Sequence, residues 1–209
     1  MSTTALHTPP VTPRSTLWND RTVGLLGGSF NPAHAGHAYI AREALKRLGL
    51  DAVWLLVSPS NPLKSDHGMA PLDARTESAR RISDHARIIT TTIEDNLGTN
   101  RTADSLDALM SAFPKTNFIW LMGADNMQQF SQWYAWREIA CTIPIAIFDR
   151  PKYSMGGLTS DLARVFAKFR TTPKHLKDQT APAWSFVTAK RHPASATDIR
   201  RNQNSDWTA

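Results

Sequence analysis

The chain has 209 residues, 41% of them apolar and 20% charged, with a formal net charge of +6. That length and balance suit one globular domain rather than a disordered chain, and no stretch reaches the roughly 20 consecutive apolar residues of a bilayer span. The single cysteine, Cys141, excludes an intrachain disulfide and is read as buried packing in a reducing, cytoplasmic protein, while the positive charge favours anionic partners without choosing among nucleic acid, acidic membrane and small phosphates.

The Thr- and Pro-rich stretch from Met1 to Asp20 lacks the layout of a secretory signal and reads as a disordered leader. The domain is expected over 21–200, with 201–209 as a polar tail. Val23 to Gly27 is short and apolar, as a buried strand should be. After a Gly/Ser/Asn/Pro loop, the spacing predicts a helix over His37 to Leu48. Ile40, Ala41, Ala44, Leu45 and Leu48 share its apolar face, and Gly49 ends it. Ala52 to Val57 is a second apolar run, broken by Ser58-Pro59. The pattern then repeats: helix over Asp73 to Ile82, strand over Arg87 to Thr92, helix over Thr102 to Phe113, strand over Asn117 to Met122. Asn126 to Ile139 is expected to be helical in large part, followed by a strand over Ile143 to Phe148; Pro151 to Pro182 shows no clear period. Strands alternating with helices imply a doubly wound parallel sheet of the Rossmann-like α/β kind, with ligands at the carboxyl ends of the strands. The loops after Leu26, Val57, Met122 and Phe148 are therefore the places to search.

The first of these loops reads Gly27-Gly28-Ser29-Phe30-Asn31-Pro32-Ala33-His34-Ala35-Gly36-His37. Glycines let a backbone approach a ligand closely, and a helix start presents free N–H groups to an anion. His37 is expected in the first helical turn with His34 just ahead, where imidazoles can donate to phosphate oxygens and stabilise developing charge. The Gly-Lys-Ser/Thr ending of a phosphate-binding Walker loop is absent, the glycines miss the dinucleotide spacing, and the His-Glu-x-x-His zinc pattern is absent. The blander alternative is that both histidines only cap and pack the loop.

Gly-Gly-Ser-Phe-Asn-Pro-x-His-x-Gly-His resembles the signature of bacterial nicotinate-nucleotide adenylyltransferases, in the nucleotidyltransferase superfamily with the (H/T)xGH motif. Later segments resemble the same family in the correct order: Asn61-Pro62-Leu63-Lys64, Arg101-Thr102-Ala103-Asp104-Ser105-Leu106, Gly123-Ala124-Asp125-Asn126, Trp133-Tyr134-Ala135-Trp136-Arg137-Glu138-Ile139, Asp149-Arg150-Pro151 and Ser195-Ala196-Thr197-Asp198-Ile199-Arg200. The resemblance covers most of Val23 to Arg200, and the polar tail stands where family members continue with a further helix.

The resemblance implies adenylyl transfer from ATP to nicotinate mononucleotide, giving nicotinate adenine dinucleotide and pyrophosphate in NAD biosynthesis, with Mg²⁺ accompanying ATP. It assigns His34 and His37 to the transferring phosphates as catalytic residues. ATP would be held by Gly28, Ser29, Phe30, Lys64, Gly123, Asp125, Ser195, Thr197 and Arg200, and the mononucleotide by Asn31, Thr102, Ala103, Trp133 and Tyr134. Trp133 would stack on the pyridine ring, and Trp136 and Ile139 would be core. Thr102 and Asp125 also suit helix N-caps. Other adenylyl- or cytidylyltransferases share the loop in looser form but have no use for the Trp133-Tyr134 and Thr102-Ala103 elements. A nucleic-acid or membrane partner is not expected, since no basic stripe with exposed aromatics is evident. Nicotinate against nicotinamide, and a homo-oligomer against a monomer, stay open at this level.

Overall fold

A computed structural model of the chain describes residues 11–59, 68–149 and 159–188. Six strands form one wholly parallel sheet: β1 (Thr22–Gly28), β2 (Ala52–Val57), β3 (Ile88–Thr91), β4 (Asn117–Gly123), β5 (Ile145–Phe148) and β6 (Trp184–Val187), in the order β3-β2-β1-β4-β5-β6. The described helices are α1 (Ala35–Leu48), α2 (Leu72–Ile82), α3 (Ile93–Asn96), α4 (Thr102–Ala112), α5 (Ala124–Gln129), α6 (Trp136–Thr142) and α7 (Asp161–Val165), with short 3₁₀ turns between several of them. The expected doubly wound sheet is thus the observed one. Its strand order reverses between β1 and β4, and a crevice opens at the carboxyl ends there.

The strands read as unbroken apolar runs because both faces are covered. Alternate residues go to opposite sides: Ala52, Trp54 and Leu56 of β2 join one core layer, and Val53, Leu55 and Val57 the other. The first layer is aromatic. Trp54 meets Trp18, Phe113 and Phe118 edge-on, with ring centroids 5.1, 5.2 and 5.6 Å apart. The second is aliphatic and is covered by α1, whose Ile40, Ala41, Ala44, Leu45 and Leu48 are all buried. Gly49 ends α1 in the left-handed conformation, as expected.

Four expectations need correction. Trp18, inside the stretch read as leader, is 5% exposed and packs in the aromatic layer, and Arg14 N–H donates to the Ala112 carbonyl at 3.0 Å. The packed domain therefore takes in residues 11–20; residues 1–10 and 201–209 lie outside the described residues. The helix expected over Asn126 to Ile139 is split into α5, a 3₁₀ turn and α6, with Ala135 left-handed at φ 51°. A straight helix would spread Phe130 and Trp136 about 120° apart. The break lets Phe130 meet Trp133 and Trp136 at 5.3 and 5.9 Å. Just past the stretch without a clear period lies an edge strand the sequence reading did not name, β6, buried at Trp184 and Val187. Finally, Cys141 is exposed, because the buried side of α6 is taken by Trp136, Ile139 and Ala140.

Candidate active site

The loop after β1 leaves the sheet beside the β1/β4 crevice. Gly27 must be glycine, because a Cβ there would lie 2.5 Å from the Trp120 ring on the neighbouring strand. His34 is the N-cap of α1 and His37 closes its first turn. The Gly36 N–H donates to His34 Nδ1 at 3.1 Å, and the His34 N–H donates to His37 Nδ1 at 3.2 Å. Both Nδ1 atoms are thus acceptors, so each neutral ring carries its proton on Nε2. The rings stack at 3.8 Å, and Phe30 supports His37 from below at 4.7 Å. The histidines do cap the helix, and the capping fixes the tautomer that makes each Nε2 a donor.

Arg75, which sequence reasoning missed, fastens the surrounding loops. It is 2% exposed and pairs with no carboxylate among the described residues. Its guanidinium donates instead to the carbonyls of Ala70 (2.8 Å), Ser29 (2.9 Å), Ser58 (2.7 Å) and Pro59 (3.0 Å). Burial lowers its pKa from the ordinary guanidinium value, and carbonyl dipoles stand in for a counter-ion. One side chain thereby ties the loops after β1 and β2 to the start of α2. The signal was present in the sequence: Arg75 sits on the buried face of α2 with Thr76 and Ala79, where a cation calls for an explanation. Asn31 and Ser78 add to the fastening. Asn31 donates to the Gly68 carbonyl at 2.9 Å and accepts from the Ala70 N–H at 3.3 Å, and Ser78 Oγ accepts from the Ala33 N–H at 2.9 Å.

Beside this loop lies a cavity of about 340 Å³. Gly27, Gly28, Ser29 and Ser58 form its floor, Trp120, Trp133 and Tyr134 its aromatic wall, and Asn126 and Gln129 of α5 one flank. The opposite flank is Glu94 of α3 with Asn100, Arg101 and Thr102 at the start of α4. Trp133 stands edge-on against Trp120 at 6.2 Å, so one indole of the wall is braced by another. Glu94 is 6% exposed. Burial raises its pKa above the usual carboxyl range, and a hydrogen bond with Ser105 partly offsets the rise. Ser105, fully buried, donates to Thr99 Oγ1 at 3.0 Å.

The expected site residues fall into three groups. Gly28, Ser29, Thr102, Trp133 and Tyr134 line the cavity, and His34 and His37 follow on the same loop at the start of α1 without lining it. Phe30 is 1% exposed beneath His37, Asn31 is turned into the loop fastening, and Ala103 packs on the core. Gly123 caps α5, with Asp125 in its first turn, and Arg101 rather than Thr102 occupies the N-cap position of α4. Lys64, Ser195, Thr197 and Arg200, together with Arg150 and Pro151 of the Arg-Pro turn, lie outside the described residues. Glu94, Ser58, Asn100, Trp120 and Gln129 are additions that no motif announced, and Asn126, quoted within the Gly123-to-Asn126 turn, had been given no role. Among the described residues no group of three His, Cys, Asp or Glu side chains could cage a metal ion, and no helix is long and apolar enough to cross a membrane.

Comparison with known proteins agrees with this geometry. A family model for cytidylyltransferase-like proteins matches residues 25–202. The chain is 47% identical to a probable nicotinate-nucleotide adenylyltransferase of Ruegeria pomeroyi, over 86% of this chain and 85% of that protein. It is 49% identical to one of Roseobacter denitrificans, over 85% of this chain and 90% of that protein. Among solved structures, the fold matches Plasmodium falciparum nicotinic acid mononucleotide adenylyltransferase complexed with NaAD, with a TM-score of 0.69 and 14% identity, covering 89% of this chain and 85% of that one.

Proposed function

The chain belongs to the cytidylyltransferase-like family and, within it, to the nicotinate-nucleotide adenylyltransferases, and from that premise we propose that it transfers the AMP half of ATP to nicotinate mononucleotide in NAD biosynthesis. The products are nicotinate adenine dinucleotide and pyrophosphate. One observation carries the reading: a cavity walled by two indoles sits directly beside a loop whose two histidines are held as Nε2–H donors. An aromatic, carboxylated base suits the first part, and a reacting phosphate the second.

In this reading a phosphate oxygen of the mononucleotide attacks the α-phosphorus of ATP in line. The new oxygen–phosphorus bond forms as the bond to pyrophosphate breaks, with no covalent enzyme intermediate. Such a transfer needs positioning and charge stabilisation more than a protein nucleophile. His37 and His34 donate to the transferring phosphate, while Trp133 holds the pyridine ring against Trp120. Lys64, Ser195, Thr197 and Arg200 are assigned to the rest of ATP, by resemblance of their motifs. Mg²⁺ would accompany ATP and would supply charge neutralisation on its phosphates. A cytoplasmic setting fits these substrates.

Purified protein incubated with ATP and Mg²⁺ and, separately, nicotinate mononucleotide, nicotinamide mononucleotide or phosphopantetheine tests the reading by chromatography of the products. Dinucleotide from the nicotinate substrate well above the other two is expected. Adenylylated phosphopantetheine, or no product from any acceptor, would overturn it.

A further inference from the structure

The proposed reaction leaves a question of charge: what in this site distinguishes a pyridine carboxylate from the matching carboxamide, which has the same shape. We propose that Arg101 is the specificity-determining residue, its guanidinium supplying the positive charge that favours an anionic ring substituent at this end of the cavity. The inference rests on the reading of the site given above.

Arg101 sits immediately before α4 and lines the cavity next to Thr102. It is exposed, and its guanidinium pairs with no carboxylate among the described residues. It lies instead over the Tyr134 ring, 4.7 Å from the centroid, and Tyr134 is itself a cavity residue next to the braced indole Trp133. A contact with a ring face holds a guanidinium in place without cancelling its charge. The cation is therefore kept at the edge of the aromatic wall, available to an incoming anion.

The one acid on the same flank is buried. Of the described residues lining the cavity, Arg101 is the one cation and Glu94 the one carboxylic acid. Glu94 is nearly sealed from solvent, and its burial favours the neutral form. The strand α3 packs against, β2, brings no titratable side chain toward it (Ala52–Val57), and Ser105 and Thr99 of the adjoining segment are hydroxyls. The flank as a whole is thus biased positive toward a ligand. A carboxylate gains a charge-assisted, potentially bidentate partner there, whereas a neutral amide gains only an ordinary hydrogen bond.

Titration calorimetry with the intact protein, without ATP, gives the affinities for nicotinate and nicotinamide mononucleotide separately. R101Q should weaken the nicotinate ligand by about tenfold or more while moving the nicotinamide ligand by less than about threefold, and R101K should recover part of the loss. Raising the salt concentration should weaken nicotinate binding to the wild type more than to R101Q. A parallel loss for both ligands would make Arg101 a structural end to α4, and an unchanged preference would assign the discrimination to the backbone; either result overturns the inference. Both leave the function intact provided the wild type binds nicotinate mononucleotide. A wild type that binds neither ligand would sink the functional reading itself, and this inference with it.

Discussion

The loop after β1 and the aromatic wall across the crevice are built by different means. In the loop, His34 and His37 are held through hydrogen bonds to backbone atoms, and the loop is fastened by Arg75, which donates to four carbonyls. The wall has almost no such bonds. Trp133 stays in place because Trp120 and Phe130 press on it edge-on at 6.2 and 5.3 Å. Directional bonds suit groups that must aim a proton at developing charge, and packing suits a surface that must only present a flat apolar face. A substitution in the loop should therefore act mainly on turnover, and one in the wall mainly on mononucleotide affinity.

The largest expected effect is in the loop. His37→Ala should lower turnover by about 10²–10³ while the fold persists, as for the loss of a charge-stabilising donor. Steady-state rates with circular dichroism as a control check this; unchanged turnover would remove His37 from the mechanism. Next comes Arg75→Met, which leaves four carbonyls without their donor. It should cost about 3 kcal/mol or more in urea unfolding and lower turnover further by releasing the loops after β1 and β2. Wild-type stability in that variant would mean that water replaces the guanidinium at no cost.

A smaller effect separates the flank of the wall from the rest. Burial holds the Glu94 pKa above its unfolded value. The stabilisation this gives is fully present below the unfolded value and is lost as pH rises through the raised folded value. Glu94→Gln keeps a hydrogen-bonding group without the charge, so wild-type stability relative to this variant should fall as pH rises across that window. Unfolding curves at stepped pH measure it. A pH-independent difference would show that Glu94 ionises alike in the folded and unfolded chain.

The same contrast explains what was legible in the sequence. The sheet followed from continuous apolar runs, because strands covered on both faces leave no alternation to misread. The histidine loop was legible because its chemistry is local: cap, glycine and histidines lie within a few residues of one another. The wall and its flank are assembled from Trp120, Trp133, Thr102 and Glu94 on four separate segments, so the motifs pointed to ring binding while the partner that braces Trp133 stayed hidden. The break at Ala135 escaped notice because a good helix former takes a left-handed conformation there, overruled by the packing of three rings. Asn31 and Phe30 drew ligand roles from the motif, and the motif did not announce what the fold also asks of their side chains: one fastens the loop and the other supports His37. Cys141 was misplaced because helix period alone did not show which face of α6 would be buried.

The most direct test of this division is one set of calorimetric titrations with nicotinate mononucleotide on wild type, Trp133→Ala and His37→Ala. The account predicts that Trp133→Ala loses about tenfold or more in affinity, the stacking and area of a buried indole face, while His37→Ala binds within a few-fold of wild type. Loss of mononucleotide affinity in His37→Ala with none in Trp133→Ala would contradict it, placing the ring substrate at the histidine loop and not at the aromatic wall.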